Sequence, residues 1–381
     1  LAVSNHNAFR LDVSDDEIAD LHRRLDFVRW PEREIVADWS QGVPLEFMRD
    51  LTQYWRTAYD WRRCEAALNA AGQSKINIDG LSIHFLHVRS RCANAMPLIL
   101  THGWPGGVTE FLKVIGPLTD PERHGGSARD AFDVIIPSLP GFGFSGIPSQ
   151  IGWGVERVAK AWDALMRALG YEEYVAQGGD WGAYVTTAIT RLPNSLCQGI
   201  HLNMPVALPT KHELETASDS ERDAIADLER YRRTEFGYAL LQSTRPQTLG
   251  FAIADSPVGQ AAWIAEKFHA WSDCSGDLWS VVSRDELLDV VMLYWLGNRG
   301  ASSARLYWES FERLSQPRGT LAWTGCSLFA KELFRPARRW VEREFPNLSY
   351  WNEVACGGHF AALEQPELFV TELRRCFSLL R

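Results

Sequence analysis

The sequence predicts an α/β fold: a mostly parallel sheet, a helical lid inserted between core strands, and a helical N-terminal extension. Three observations carry that expectation. Short apolar runs at Leu98-Ile99-Leu100, Val134-Ile135-Ile136 and Tyr174-Val175-Ala176 alternate with helix-length stretches, the pattern of buried parallel strands joined by crossover helices. The span 209–310 loses that alternation and reads as helix. Strand-like sequence then returns at Thr320-Leu321-Ala322-Trp323 and Leu348–Trp351, ahead of a closing helix. A parallel sheet interrupted in this way carries its lid over the carboxyl ends of its strands, where ligand crevices of open α/β sheets lie. The expected division is an extension over 1–75 that wraps the core, a first core part over 76–208, the lid over 209–310 and a second core part over 311–381.

The individual elements have local causes. Ser14-Asp15-Asp16-Glu17 is a capping box, and Val13 can staple onto Ile18 before Leu21 and Leu25 continue an apolar face. A second helix over Leu45–Tyr59 places Met48, Leu51 and Trp55 on one side. The period then changes to two in Ile76–Ile83, which alternates around Asp79-Gly80 and predicts a β-hairpin. Within the lid, Ser218-x-x-Glu221 opens one helix and Ser256-Pro257 another.

Composition narrows the function. With 381 residues, 46% hydrophobic and 23% charged, the chain has the make-up of a globular enzyme. A net charge of −9 argues against nucleic acid and against an anionic membrane surface as partners. No run of about 18 apolar residues exists to span a bilayer, and the first residues lack the apolar core of a secretory signal. Seven cysteines without a CxxC pair read as reduced thiols, so a cytoplasmic location is expected. No cofactor or metal is expected. Sixteen tryptophans suggest a pocket for an apolar ligand.

The chemistry is concentrated in two glycine-rich turns. In Gln177-Gly178-Gly179-Asp180-Trp181-Gly182, a strand runs through a small-x-Asp-x-small turn into a helix, the pattern of a nucleophile elbow. Alone, the segment fits a βα turn whose Asp caps the helix equally well. The second turn, His102-Gly103-Trp104-Pro105-Gly106-Gly107, also follows a strand, where α/β-hydrolases supply one oxyanion donor. The donors here would be the backbone N–H groups of Trp104 and Trp181. Both turns in this order predict an α/β-hydrolase core. Asp in place of Ser dictates the reaction. A carboxylate displaces leaving groups at saturated carbon and becomes a covalent ester, which water must then hydrolyse with the help of a base. Cys356-Gly357-Gly358-His359-Phe360 supplies that base after the last strand. Triad order requires an acid between Asp180 and His359. Glu332 stands in the expected place, with Glu353 as the alternative.

With these residues in hand, the sequence resembles epoxide hydrolases of the microsomal type over nearly its whole length. The core carries HGWPGG (102–107), PSLPGFGFS (137–145), GGDWG (178–182) and GGHFAALEQPE (357–367). Arg29-Trp30-Pro31, Trp39, Tyr54-Trp55, Asp60-Trp61 and Glu65 are similar to the N-terminal extension of that branch. The resemblance implies conversion of a small apolar epoxide and water to a vicinal diol. It makes Asp180 the nucleophile, His359 the base and Glu332, beyond Thr324-Gly325-Cys326-Ser327, the acid. It also makes Tyr238 and Tyr307 the lid donors to the epoxide oxygen, leaving Tyr231 and Tyr294 as packing residues. His102, Gly103, Pro105, Gly178 and Gly182 support the two turns. Ala330-Lys331 departs from the family pattern without removing a reacting group. Members that sit on membranes carry an N-terminal anchor, and none is expected here; a homodimer is the one assembly carried forward. The rival readings are a haloalkane dehalogenase, which shares the Asp elbow, and a non-catalytic homologue that binds an apolar ligand.

Overall fold

Among the described residues nine strands form one sheet: β1 (Asn7–Ala8), β2 (Gln73–Ile78), β3 (Leu81–Val88), β4 (Met96–Thr101), β5 (Phe132–Pro137), β6 (Tyr174–Gly178), β7 (Cys197–Leu202), β8 (Trp323–Lys331) and β9 (Leu348–Gly358). The computed structural model describes residues 5–316 and 318–381; the first four residues of the N-terminal segment and Pro317 lie outside the described residues. Strand order is β1-β2-β3-β5-β4-β6-β7-β8-β9. The pairs from β1 to β5 through β3 are antiparallel, and every pair from β5/β4 to β8/β9 is parallel. This is the α/β-hydrolase fold.

The hairpin forms where Asp79 (φ 54°) and Gly80 (φ 81°) turn the chain between Ile78 and Leu81, because two left-handed residues match the twist of the flanking strands. In the middle of the sheet, Leu98, Ile99 and Leu100 of β4 are fully buried, as expected for strands covered on both faces. β4 and β6 are neighbours in register, with Thr101 opposite Gly178. The two glycine-rich turns therefore leave adjacent strands at the same level and meet. Two strand limits differ from expectation. β8 starts at Trp323, so Thr320, Leu321 and Ala322 precede it, and β9 continues through Gly357 and Gly358 across a register shift.

All the described helices between β7 and β8 belong to the insertion, from Lys211–Glu215 to Gly300–Ser315. The capping boxes at Ser14 and Ser218 close as expected, and Ser256 accepts from the Gly259 N–H. The helices that precede β2 touch those between β7 and β8. Tyr59 donates to buried Asp289 at 2.8 Å, Arg63 reaches both Asp289 oxygens at 2.7 and 2.8 Å, and Tyr54 donates to Asp285 at 2.8 Å. Asp289 is the buried charge among them, and leaving it unpaired would be costly, so these contacts join the Arg284–Trp295 helix to the Leu45–Thr57 and Trp61–Ala70 helices. All seven cysteines are free. Among the described residues no helix is long and apolar enough to cross a membrane.

Candidate active site

Asp180 sits between the end of β6 and the Trp181–Ile189 helix at φ 49°, ψ −131°. A side chain held at positive φ costs on the order of 1–3 kcal/mol and persists only where the surroundings enforce it. The surroundings are tight. A Cβ on Gly182 would lie 1.9 Å from the Thr101 carbonyl oxygen, and one on Gly178 would lie 2.2 Å from that of Gly182. Across the turn, a Cβ on Gly103 would meet Asp180 Oδ1 at 2.1 Å. The small residues of both motifs are steric requirements for bringing the two turns together.

The Trp104 N–H donates to Asp180 Oδ1 at 2.8 Å. The Trp181 N–H faces the same carboxylate and favours its ionised form, without closing a cap hydrogen bond to it. Burial pushes the Asp180 carboxyl above the usual range, and His359 and these two N–H groups oppose that rise. His102 is no acid or base here. Its Nδ1 bonds the Gly103 carbonyl at 2.9 Å, its Nε2 accepts from the Leu139 N–H at 3.2 Å, and burial lowers it to about 4. It braces the turn that carries Trp104 and Pro105.

His359 Nε2 lies 3.7 Å from Asp180 Oδ2, and its Nδ1 lies 2.6 Å from Glu332 Oε1. Glu332 follows β8 directly and its side chain is fully buried. It also accepts from the Leu333 N–H at 2.9 Å and from Asn203 at 3.4 Å. Burial works to lower the His359 pKa, but Glu332, then Asp180 and Glu110, outweigh it and raise it to about 9. Glu353 is elsewhere: its exposed side chain faces Arg335 at 3.6 Å. Asp180, Glu332 and His359 thus converge.

Both tyrosines arrive from the insertion, and each rests on a tryptophan of the turns. Tyr238 stacks on Trp104 at 4.9 Å between centroids, and Tyr307 meets Trp181 edge-on at 4.8 Å. The two indoles whose backbone N–H groups face Asp180 therefore also carry the two phenols. Burial holds both hydroxyls protonated, well above the ordinary phenol range. An apolar cavity of about 80 Å³ runs from Asp180 past Tyr238 and Tyr307 to Met204, Val206, Leu228 and Phe334. Tyr294, as expected, packs, its hydroxyl donating to the Gly106 carbonyl at 2.8 Å.

Two residues were not singled out by their sequence, and a third was given only a packing role. A second cavity of about 30 Å³ lies on the other side of Asp180, bounded by His359, Glu110, Asn203 and Gln177. Its polar groups share the lining with Phe111, Phe360 and Phe369, and it has room for about one or two water molecules. Glu110 accepts from the Gly107 N–H at 2.7 Å, and burial beside Asp180 raises its carboxyl to about 7. The signal was present: a Glu three residues beyond Gly107 is capping-box spacing. Asn203 receives Gln177 at 2.8 Å and passes a contact to Glu332, which no local pattern reveals. Tyr231, expected to pack, lines the apolar cavity and lies 3.2 Å from the Tyr238 hydroxyl.

Comparison with known proteins places the whole chain in a family. Residues 6–111 match the family described as epoxide hydrolase N terminus, and residues 96–243 match the alpha/beta hydrolase fold. The chain is 55% identical to the "Putative epoxide hydrolase" of Stigmatella aurantiaca (strain DW4/3-1), covering 98% of this chain and 85% of that one. It is 36% identical to epoxide hydrolase 1 of Sus scrofa, over 98% of this chain and 88% of the relative. Among solved structures, the juvenile hormone epoxide hydrolase of the silkworm Bombyx mori superposes with a TM-score of 0.92 at 29% identity, covering 99% of this chain and 95% of its own. The Aspergillus niger epoxide hydrolase gives 0.89 at 31%, covering 99% and 97%. Relatives this similar along almost the entire chain place it in one family: the protein is a member of the epoxide hydrolases, built on the α/β-hydrolase fold.

Proposed function

We propose that the protein converts a small apolar epoxide to a vicinal diol through a covalent ester on Asp180. The observation that carries this reading is the pair of cavities meeting at one carboxylate, one apolar and lined by two phenols, the other smaller and lined by His359, Glu110 and Asn203. Asp180 Oδ2 attacks a ring carbon from the apolar cavity while Oδ1 stays with the Trp104 N–H. The ring C–O bond breaks, and Tyr238 and Tyr307 meet the charge developing on the epoxide oxygen. Phenols with an unperturbed pKa near ~10, raised further by burial, remain protonated at neutral pH and can donate.

Ester formation removes the negative charge of Asp180. One of the groups that raises His359 is thereby lost, so the imidazole gives up its proton more readily when a base is needed. Water from the smaller cavity then attacks the Asp180 carboxyl carbon, with His359 taking its proton and Glu332 stabilising the imidazolium. The N–H groups of Trp104 and Trp181 hold the tetrahedral oxyanion. Glu110 holds the water against His359. Glu110→Gln is therefore expected to slow ester hydrolysis about tenfold while sparing alkylation, as a weakened hydrogen bond in one half-reaction would; equal slowing of both steps in single-turnover kinetics would argue against that role.

The tyrosines test the choice of substrate. One donor to developing charge contributes about 2.7–4 kcal/mol, and a partner can compensate for part of that loss. Single Tyr238→Phe and Tyr307→Phe variants are expected to retain measurable alkylation of styrene oxide, and the double variant to lose nearly all of it. Hydrolysis of a preformed ester should change little. A double variant that alkylates at the wild-type rate, or a wild type that prefers an alkyl halide to the epoxide, would defeat the reading.

A further inference from the structure

Tyr238 and Tyr307 line the same cavity as Asp180 but differ in what surrounds them. Among the described residues the buried Tyr307 hydroxyl closes no hydrogen bond of ordinary length, and its polar neighbours are Tyr238 and Trp181. Tyr238 has two supports. The Tyr231 hydroxyl, on the wall of the same apolar cavity, lies 3.2 Å from the Tyr238 hydroxyl. The Lys267 ammonium lies over the Tyr238 ring, 4.9 Å from its centroid. Lys267 is itself buried, its side chain 5% exposed, and pairs with Glu266 at 2.7 Å and Glu235 at 3.7 Å.

The two supports share one chemical consequence. A phenol that gives its proton away gains negative charge on its oxygen, part of it spread into the ring. A neighbouring O–H that donates to that oxygen, and a cation over that ring, both favour the charged form. Both also strengthen the hydrogen bond that Tyr238 gives before its proton moves, so they act in the direction of transfer throughout the step. The carboxylates beside Lys267 weaken its field at the ring, so Tyr231 is expected to contribute the larger share.

Building on the epoxide reading above, we propose that Tyr238 is the acid that transfers its proton to the epoxide oxygen, that Tyr307 only hydrogen-bonds that oxygen, and that Tyr231 and Lys267 are positioning residues acting through Tyr238. The step balances. As the Asp180 Oδ2–carbon bond forms, the ring C–O bond breaks and its electron pair takes the Tyr238 proton, leaving an ester, an alcohol and a Tyr238 phenolate. Ester hydrolysis later regenerates the Asp180 carboxylate and releases one proton, which restores the phenol. Tyr231 donates to the phenolate oxygen in the interval.

The test is a set of double-mutant cycles on the alkylation step, followed in single turnovers with styrene oxide. Tyr231→Phe removes only a hydroxyl and is expected to slow alkylation about tenfold, with ester hydrolysis unchanged. Lys267→Met is expected to slow it about threefold. Both penalties should vanish in a Tyr238→Phe background and persist in a Tyr307→Phe background, because coupling appears only between residues acting through one another. Equal penalties in the two backgrounds, or no penalty from Tyr231→Phe in the wild type, would overturn the assignment. If Lys267→Met lowers the melting temperature too far to be assayed, the Tyr231→Phe cycle decides alone. Wild-type alkylation by the Tyr238→Phe, Tyr307→Phe double variant would instead remove the underlying epoxide reading.

Discussion

Replacing Asp180 with Ala is expected to abolish diol formation, lowering turnover by roughly four to six orders of magnitude, the scale of losing a nucleophile. No other group can take over the attack. His359 faces the carboxylate through Nε2 at 3.7 Å and Glu332 is fully buried behind it. The fold should survive. Burial disfavours the ionised Asp180, so removing it relieves a desolvation penalty that offsets much of the loss of its contacts. A melting temperature at or near that of wild type, with no diol in an extended incubation, is the expected pair of results. A folded variant with substantial turnover would mean that water attacks the epoxide directly.

His359→Gln should separate the two half-reactions. Alkylation needs the carboxylate and the phenols, which the variant keeps, although the favourable charge beside Asp180 is lost and the step slows. Hydrolysis needs the base and should fall by about 10²–10⁴-fold. The expected time course is one equivalent of substrate consumed, then almost none. In the wild type the sign of the pH dependence follows from the charges. The free enzyme holds His359 at about 9, largely against burial, because Glu332, Asp180 and Glu110 favour its cation. The ester form lacks the Asp180 charge, so His359 deprotonates at lower pH there. Ester hydrolysis should rise with pH and level off below about 9. A hydrolysis rate that falls as pH rises through that range would contradict the base role.

What was legible in the sequence is what local chemistry determines. The elbow and the His102–Gly107 turn showed themselves because close backbone approach demands glycine at fixed offsets, and Asp79-Gly80 because its turn demands two left-handed residues. What stayed hidden depends on partners far along the chain. β7 and the start of β8 read poorly because buried polar residues interrupt their apolar runs. His201 and Ser327 are fully buried yet bonded to each other at 2.9 Å, and Ser327 donates on to Glu372 at 2.7 Å. Gly325 looks like a turn but sits in a strand, where a Cβ would meet Cys376 Sγ at 2.2 Å. Glu110 was passed over, and Tyr231 was read as packing, for the same reason: a carboxylate that caps a short turn and a tyrosine on an amphipathic helix are ordinary until the fold sets them beside Asp180 and Tyr238.

The central claim is that substrate becomes bonded to Asp180. It is tested most directly by intact-protein mass spectrometry of the His359→Gln variant after incubation with styrene oxide, followed by peptide mapping. The account predicts a mass increase of one substrate molecule, located in the peptide that contains Asp180 and absent when Asp180 is also changed to Ala. An unmodified protein, or an adduct on any other residue, would contradict it.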